Sequence, residues 1–410
     1  MEYDVIVIGG GPAGMFAAIT AAEAGGNVLL LERNPRLGKK LLITGKGRCN
    51  VTNACDSQEV MRNIPRNGRF LYSSLAAFGP SQIMDFFEKH GCPLKTERGN
   101  RVFPVSDRAA SILECLQQEL QRQKVRVQNG RVQKILVSDG AVIGVQVDGA
   151  QIHASHVILA TGGVSYPTTG STGDGYHIAQ TLGHTVTEVE GSLVPLEVEG
   201  DDCLRMQGLS LRNVGVRIIN QKGKTVYKDF GELLFTHFGV SGPTVLSASA
   251  HLDGQQCTLV LDLKPALDDG KLDARILRDL SMYQNRSMEN ALTDLLPRSM
   301  IPVVLDRLGI DPAMQANSLT KQKRGEIVAL LKNFPFVITG KRPVAEAIIT
   351  RGGVKVPEID PKTMESKLVR GLFFAGEIID CDGYTGGFNL QIAWSTAFAA
   401  GSAVKESLTK

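Results

Sequence analysis

Three groups of residues have types and spacings suited to chemistry: Gly9, Gly11 and Gly14 with Glu32 beyond them, the segment TGKGRCNVTN at 44–53, and the segment GYTGGFN at 383–389. The first group follows DVIVI (4–8), a short apolar run rich in β-branched residues that reads as a strand buried on both faces. Pro12 and Ala13 then open an alanine-rich helical stretch that stops at Gly25 and Gly26, and a second apolar strand over 28–31 ends at Glu32. This is the order a dinucleotide needs. Gly9 permits the tight turn, Gly11 lets the backbone approach a diphosphate, and Gly14 lets helix and strand pack closely. The free N–H groups at the helix start favour phosphate, and Glu32 is placed to accept hydrogen bonds from an adenosine ribose. An acid there repels a 2′-phosphate, which leaves FAD and NAD.

The second group admits fewer readings than its composition suggests. A triphosphate loop would need glycine five residues before Gly45 and serine or threonine after Lys46, and Lys40 and Gly47 stand there instead. Cys49 and Cys55 have five residues between them, which fits neither CxxC nor the gap of a flavin disulfide reductase. What remains is a loop of exposed amides at Gly45 and Gly47 with Lys46 and Arg48 available to phosphate oxygens. Arg33 and Lys40 could flank the same diphosphate, whereas Arg36 and Lys39 read as solvated surface.

The elements that must position these groups can be read along the chain. At 410 residues, with 43% hydrophobic and 21% charged residues, the chain has material for two or three domains and an ordinary globular interior. A net charge of +3 from mixed signs demands neither a polyanion nor a membrane as partner. Seven scattered cysteines without metal-ligand spacing point to a reducing compartment and no structural metal. The N-terminal apolar run is broken by glycines and Pro12, unlike a signal or membrane helix, so a cytoplasmic protein is expected and the sequon at Asn50 is an accident.

The run 156–160 is a further buried strand, and Thr161, Gly162 and Gly163 after it permit close cofactor approach at a strand end. Segments 125–128, 131–137 and 141–147 alternate like a small antiparallel meander, with the backbone near Val132 facing an adenine. The run 372–375 is a last strand leading into Gly376 and Glu377. Gly386 and Gly387 then precede a long amphipathic helix from Leu390 to about Glu406, and the N–H groups of Asn389 and Leu390 can stabilise negative charge on a flavin ring. Glu377 and Asp380 are candidates for ribityl and ribose hydroxyls, and Phe388 belongs to the same turn. Residues about 191–265 alternate as a barrel or sandwich, and 266–333 carry helical periodicity at Ile276, Leu277 and Leu280. The segment 334–340 returns to the strands.

TGKGRCNVTN resembles the signature of the flavoprotein family that includes the aminoacetone oxidases and the bacterial 3-dehydro-bile acid reductases. The likeness continues through ATGGVSYPTTGSTGDGY (160–176), LLFTHFGVSGPTVL (233–246), ITRGGV (349–354) and the segment 363–401, nearly the whole chain. It implies that Gly45, Gly47, Arg48, Cys49 and Asn50 lie along FAD. It also implies a discontinuous Rossmann-type α/β FAD domain (1–190 and 342–410) interrupted by a β-barrel (191–265 and 334–341) and a helical subdomain (266–333).

No second GxGxxG follows a strand, so a dedicated nicotinamide domain is missing and NAD(P)H would dock transiently to reduce the flavin. A substrate pocket is expected where the FAD domain meets the insertion, with Tyr166, Arg351 and Tyr384 on glycine-flanked turns that reach it. In reduction of a conjugated C=C, an arginine would hold the ketone oxygen and a tyrosine would protonate the α-carbon. His237 and His177 read as structural and Trp394 as core. The first expectation, implied by the family resemblance, is an FAD-dependent, NAD(P)H-driven enone reductase of the 3-oxo bile acid type, with a small-molecule substrate and neither nucleic acid nor membrane as partner. Amine oxidation of the aminoacetone type stands second. A flavoprotein acting on RNA stands third, because the basic cluster Lys321, Lys323 and Arg324 reads as a solvated helix face.

Overall fold

The computed structural model describes residues 2–409 apart from Ala24, Asp253 and Gln255. Two units are formed, Met1–Ser192 with Val344–Lys410, and Leu193–Pro343.

The first unit is built on a seven-stranded sheet. Tyr3–Ile8 sits between Val28–Glu32 and the second half of Ala150–Leu159, all parallel, which is why these strands are apolar on both faces. Leu372–Phe374 extends the parallel set beyond Leu159. The expected meander is corrected at its first member. Arg126–Asn129 pairs parallel with Val28–Glu32, because the helix Ala109–Arg122 returns the chain to the same end of the sheet. The antiparallel meander consists instead of Val132–Ser138, Ala141–Val147 and the first half of Ala150–Leu159.

Two helices pack against each other beside this sheet. Pro12–Ala22 buries ten of its eleven residues. The final helix, Phe388–Leu408, crosses it at Gly401, where a Cβ would lie 2.7 Å from Thr20 Cβ and 2.8 Å from the Ala17 carbonyl oxygen. Its expected amphipathic character is corrected: Gln391 to Ala397 are buried without a break, since helix, loop and aromatic side chains enclose it. Trp394 is fully buried, with its ring edge-on to Phe16 and its Nε1 donating to the Val51 carbonyl. Between the two ends of the chain, Thr52–Asn53, Arg101–Pro104 and Leu94–Glu97 make a three-stranded sheet flanked by helices Ser57–Arg62, Tyr72–Ala77 and Pro80–Lys89.

The second unit contains a closed six-stranded barrel. Its order is Leu196–Val198, Gly239–Ser241, Thr225–Thr236, Ser210–Asn220, Cys257–Asp262 and Phe334–Lys341. Helices Asp269–Met282, Ile301–Arg307 and Lys321–Lys332 fall between the last two strands. Ile276 and Leu280 are buried, but Leu277 is 47% exposed, so only the first two serve the core stripe. The cations at 321–324 are largely spoken for: Arg324 pairs with Asp273 and Lys323 with Glu326.

Candidate cofactor site

The glycine turn at the N-terminus divides into packed and open positions. A Cβ on Gly9, whose φ is +109°, would lie 2.4 Å from the Ala160 carbonyl oxygen, and one on Gly14 would lie 1.7 Å from the Gly9 oxygen. These two residues therefore press the first strand, the first helix and the 160–161 turn together. Gly11 differs, because a Cβ there would meet nothing within 4 Å. The helix start beside it carries Pro12 and Ala13, and its first-turn N–H groups have no helical acceptor. An open glycine at a helix N-terminus fits a diphosphate.

Glu32 closes the other side of the turn. The residue is 9% exposed, and its carboxylate accepts from Gly10 N at 2.6 Å and from Asn34 N and Nδ2 at 2.7 and 2.8 Å. Three of about four acceptor positions are thus used, leaving room for one further donor such as a ribose hydroxyl. Asn129 donates to the carbonyls of Glu32 and Asn34, and the buried Val132 begins the strand that follows.

The 44–53 loop has an unusual backbone. Gly45, Lys46, Gly47 and Cys49 all take positive φ, 56°, 58°, 81° and 59°. Two of these are not glycine, a conformation that persists only where the surroundings fix it. One brace is Arg48, which ion-pairs with Glu97 and Asp107 while its guanidinium lies 4.1 Å from the centre of the Phe103 ring. The other is the C-terminal helix. Thr52 Oγ1 donates to Gln391 Oε1 at 2.6 Å, Asn53 Nδ2 to the Gly386 oxygen at 3.1 Å, and a Cβ on Gly387 would stand 2.4 Å from the Thr52 carbonyl. Segments 44–53 and 386–391, far apart in sequence, are therefore one structure. Cys49 is fully buried, and burial pushes its thiol up to about 12, so it is a packing residue and not a nucleophile.

Cationic and acidic candidates meet each other more than open space. Lys40 Nζ donates to Glu377 Oε2 at 2.7 Å and to Ser165 Oγ at 2.6 Å, while Glu377 Oε1 accepts from Ser165 Oγ and from Thr350 N. Burial would raise the Glu377 carboxyl, but Lys40 and these donors hold it below the usual value. Gly163 allows this cluster to close, since its Cβ would lie 2.1 Å from Thr350 Oγ1. Gly162 has φ +73° at the same turn. Gly376 lies against the first helix, where its Cβ would be 2.7 Å from Ala13 Cβ, and its N–H donates to Thr396. Arg33 is directed elsewhere, pairing with Asp174 and Thr172.

Some polar atoms are buried and unpartnered among the described residues, notably Asn50 Oδ1, Asp380 Oδ1 and Thr161 Oγ1. The Thr161 hydroxyl lies against Gly175. The other two are orphaned acceptors on the 44–53 loop and on the segment that leads to Gly387, where the hydroxyls and amides of a flavin nucleotide would satisfy them.

The three residues expected to act on substrate are half-buried. Tyr166 has φ +52° at the head of a short turn. Arg351 Nε pairs with Glu190 at 2.8 Å. Tyr384 N donates to the Asn63 carbonyl. The Asn389 side chain both accepts from Gly383 N and donates to the Gly383 oxygen, fixing the turn before the helix whose first residues are Phe388, Asn389 and Leu390. Sequence reasoning missed Arg66, which ion-pairs with the buried Asp382, and Asn67, which donates to Asp380. It also missed Asn34, Ser165, Thr350 and Gln391. Arg66, Asn67 and Asn34 lie outside the segments that carry the family likeness, Ser165, Thr350 and Gln391 lie within them, and in all six only the tertiary partners reveal the role.

No group of three or more His, Cys, Asp or Glu side chains among the described residues could hold a metal, and none of the described helices is long and apolar enough to cross a membrane.

Comparison with known proteins places the chain. The family described as HI0933-like protein Rossmann domain matches residues 3–403. The chain is 32% identical, over 98% of both chains, to the 3-dehydro-bile acid delta(4,6)-reductase of Clostridium scindens. It is 31% identical, over 97% of both chains, to the ribosomal RNA dihydrouridine synthase of Escherichia coli, and 30% identical over 96% of both to that of Haemophilus influenzae. Among solved structures, the 3-ketosteroid-delta4-(5alpha)-dehydrogenase of Rhodococcus jostii RHA1 shares the fold with a TM-score of 0.50 and 19% identity, over 98% of this chain and 96% of that one.

Proposed function

From a chain that belongs to the HI0933-like Rossmann family, we propose an FAD-dependent oxidoreductase that reduces a C=C bond conjugated to a carbonyl, taking electrons from NAD(P)H. One observation carries the reaction class: relatives matched over nearly their whole length bear two names whose chemistry coincides. A 3-oxo-4-ene steroid is an enone. So is uracil, whose C5=C6 bond is conjugated to its C4 carbonyl, and dihydrouridine is the product of reducing that bond.

When bound, FAD supplies hydride from N5 of its flavin ring. The chain has three tasks. It holds the diphosphate at the open Gly11 helix start and the nucleotide hydroxyls and amides at Glu32, Asn50 and Asp380. It presents the N–H groups of a 21-residue helix, beginning after Gly387, to negative charge. It supplies a proton to the carbon next to the carbonyl, for which Tyr384 and Tyr166 are the candidates, with Arg351 to bind the carbonyl oxygen.

Of the two substrates, a uracil base in ribosomal RNA is our first reading, because two relatives from two organisms carry that name over at least 96% of both chains. A 3-oxo steroid enone is the second, on the strength of the Clostridium scindens relative. Anaerobic stopped-flow at the flavin absorbance separates them. NADH or NADPH should bleach the oxidised flavin, and in vitro transcribed ribosomal RNA should restore the colour and yield dihydrouridine by mass spectrometry. Reoxidation by the steroid alone selects the second reading, and reoxidation by neither refutes the reaction class.

A further inference from the structure

The hairpin Ser210–Asn220 and Thr225–Thr236 carries Arg217, Lys222, Lys224 and Lys228, of which Arg217 donates to Asn333 Oδ1 at 2.6 Å and none makes an ion pair among the described residues. Its inward residues Val214, Val216 and Ile218 are buried in the barrel, so by strand alternation Gly215 and Arg217 face outward. Across the ladder Arg217 stands opposite Lys228, and Gly215 opposite Phe230. Like charges directly opposed on a sheet are destabilising, and a glycine opposite an aromatic leaves the ring uncovered. Phe230 is accordingly 55% exposed.

The turn adds Lys222 and Lys224, both exposed. Asn220 Oδ1 accepts from the backbone N–H groups of both lysines at 3.1 and 3.0 Å, and Gly223 has φ +72°, so the turn is fixed. Lys222, Lys224 and Lys228 make no ion pair among the described residues. Of the carboxylates on this strand, Asp229 is taken up by the Tyr227 hydroxyl and the Phe230 amide, and Glu232 lies beyond the ring.

We propose that this hairpin docks RNA, with Lys222, Lys224, Lys228 and Arg217 on phosphates and an unpaired base stacked on Phe230. The chemistry fits one class of partner. Two lysines in a fixed turn and a third on the adjoining strand suit a polyanion, and an open ring flanked by cations suits a base face, as in single-strand binding surfaces. The proposal rests on the RNA reading above. It differs from the sequence-level candidate at Lys321 to Arg324, where two of the cations are already paired.

The test uses holoenzyme, ribosomal RNA transcribed in vitro, and a salt series. Lys222→Glu/Lys224→Glu/Lys228→Glu should weaken binding at least about tenfold near 0.1 M salt and flatten the log–log salt slope by about 2–3, the contribution of three phosphate contacts. Phe230→Ala should weaken binding about tenfold with the slope unchanged, because stacking releases no counterions. Lys321→Glu should stay within about twofold, and bleaching of the flavin by NADPH should be unaffected in all three. If wild-type protein forms dihydrouridine while the triple variant keeps its affinity and slope, the docking surface is wrong and the RNA reading stands. If wild-type protein neither binds RNA nor forms dihydrouridine, the RNA reading falls and the proposal with it.

Discussion

Replacing Lys40 by methionine removes one half of a buried pair and leaves the other half stranded. The Lys40 and Glu377 side chains are 20% and 13% exposed and 2.7 Å apart. Breaking a buried ion pair from one side costs about 3–5 kcal/mol, and partial exposure places this one near 3. For a unit of this size that is a fall in Tm of about 6–12 °C. The sign of the pH dependence follows from the carboxyl. In the wild type Glu377 is held below the usual value, so its stabilising contribution is present above the unfolded carboxyl value and lost as pH falls through the lower folded one. In Lys40→Met burial is opposed only by the remaining Ser165 and Thr350 donors, so the folded value rises from its wild-type position and the variant loses less stability than the wild type as pH falls. Thermal unfolding from pH 7.5 to 5 should therefore show a gap between wild type and Lys40→Met that narrows toward acid. The double variant Lys40→Met/Glu377→Gln should recover most of the loss, since an amide oxygen still accepts from Ser165 and Thr350 N. A loss below about 0.5 kcal/mol, far under the buried-pair range, or a gap independent of pH, would refute the pairing argument.

Three further outcomes are expected. Gly11→Ala should leave Tm within a degree or two, because its Cβ meets nothing within 4 Å, yet retain much less flavin after gel filtration, since the methyl occupies the diphosphate approach. Gly387→Ala should behave oppositely, destabilising by about 2–5 kcal/mol from its left-handed backbone and its contact with Thr52, read by denaturant titration. Cys49 should resist iodoacetamide at pH 8 until the protein unfolds, as mapped by peptide mass spectrometry, because burial keeps its thiol protonated up to about 12.

Much of the first unit is legible because it is local. A β-branched run, a glycine turn and an alanine-rich helix are neighbours in sequence, and the strands at 4–8 and 28–31 form as read, whereas the one read at 156–160 is the second half of the longer strand Ala150–Leu159. The misplacement of Arg126–Asn129 has a physical cause: alternation identifies a strand but not its partner, and a preceding helix makes the pairing parallel. The helix after Gly387 was readable, but not its burial on all sides, which depends on the 44–53 loop and the first helix. The stretch from Ser57 to Lys89 carries no motif, and its helices are set by packing. Least legible is the polar cluster, since Lys40 and Glu377 lie 337 positions apart and composition cannot pair them. Read separately, both looked like cofactor ligands.

The claim on which the rest depends is that the Gly11 helix start, the 44–53 loop and the Gly387 turn hold a single flavin dinucleotide. The most direct measurement is the nucleotide released by denaturing purified, reconstituted protein, identified by chromatography and compared with chain concentration. The account predicts one FAD per chain. Protein that stays colourless, or that releases FMN instead, would contradict it.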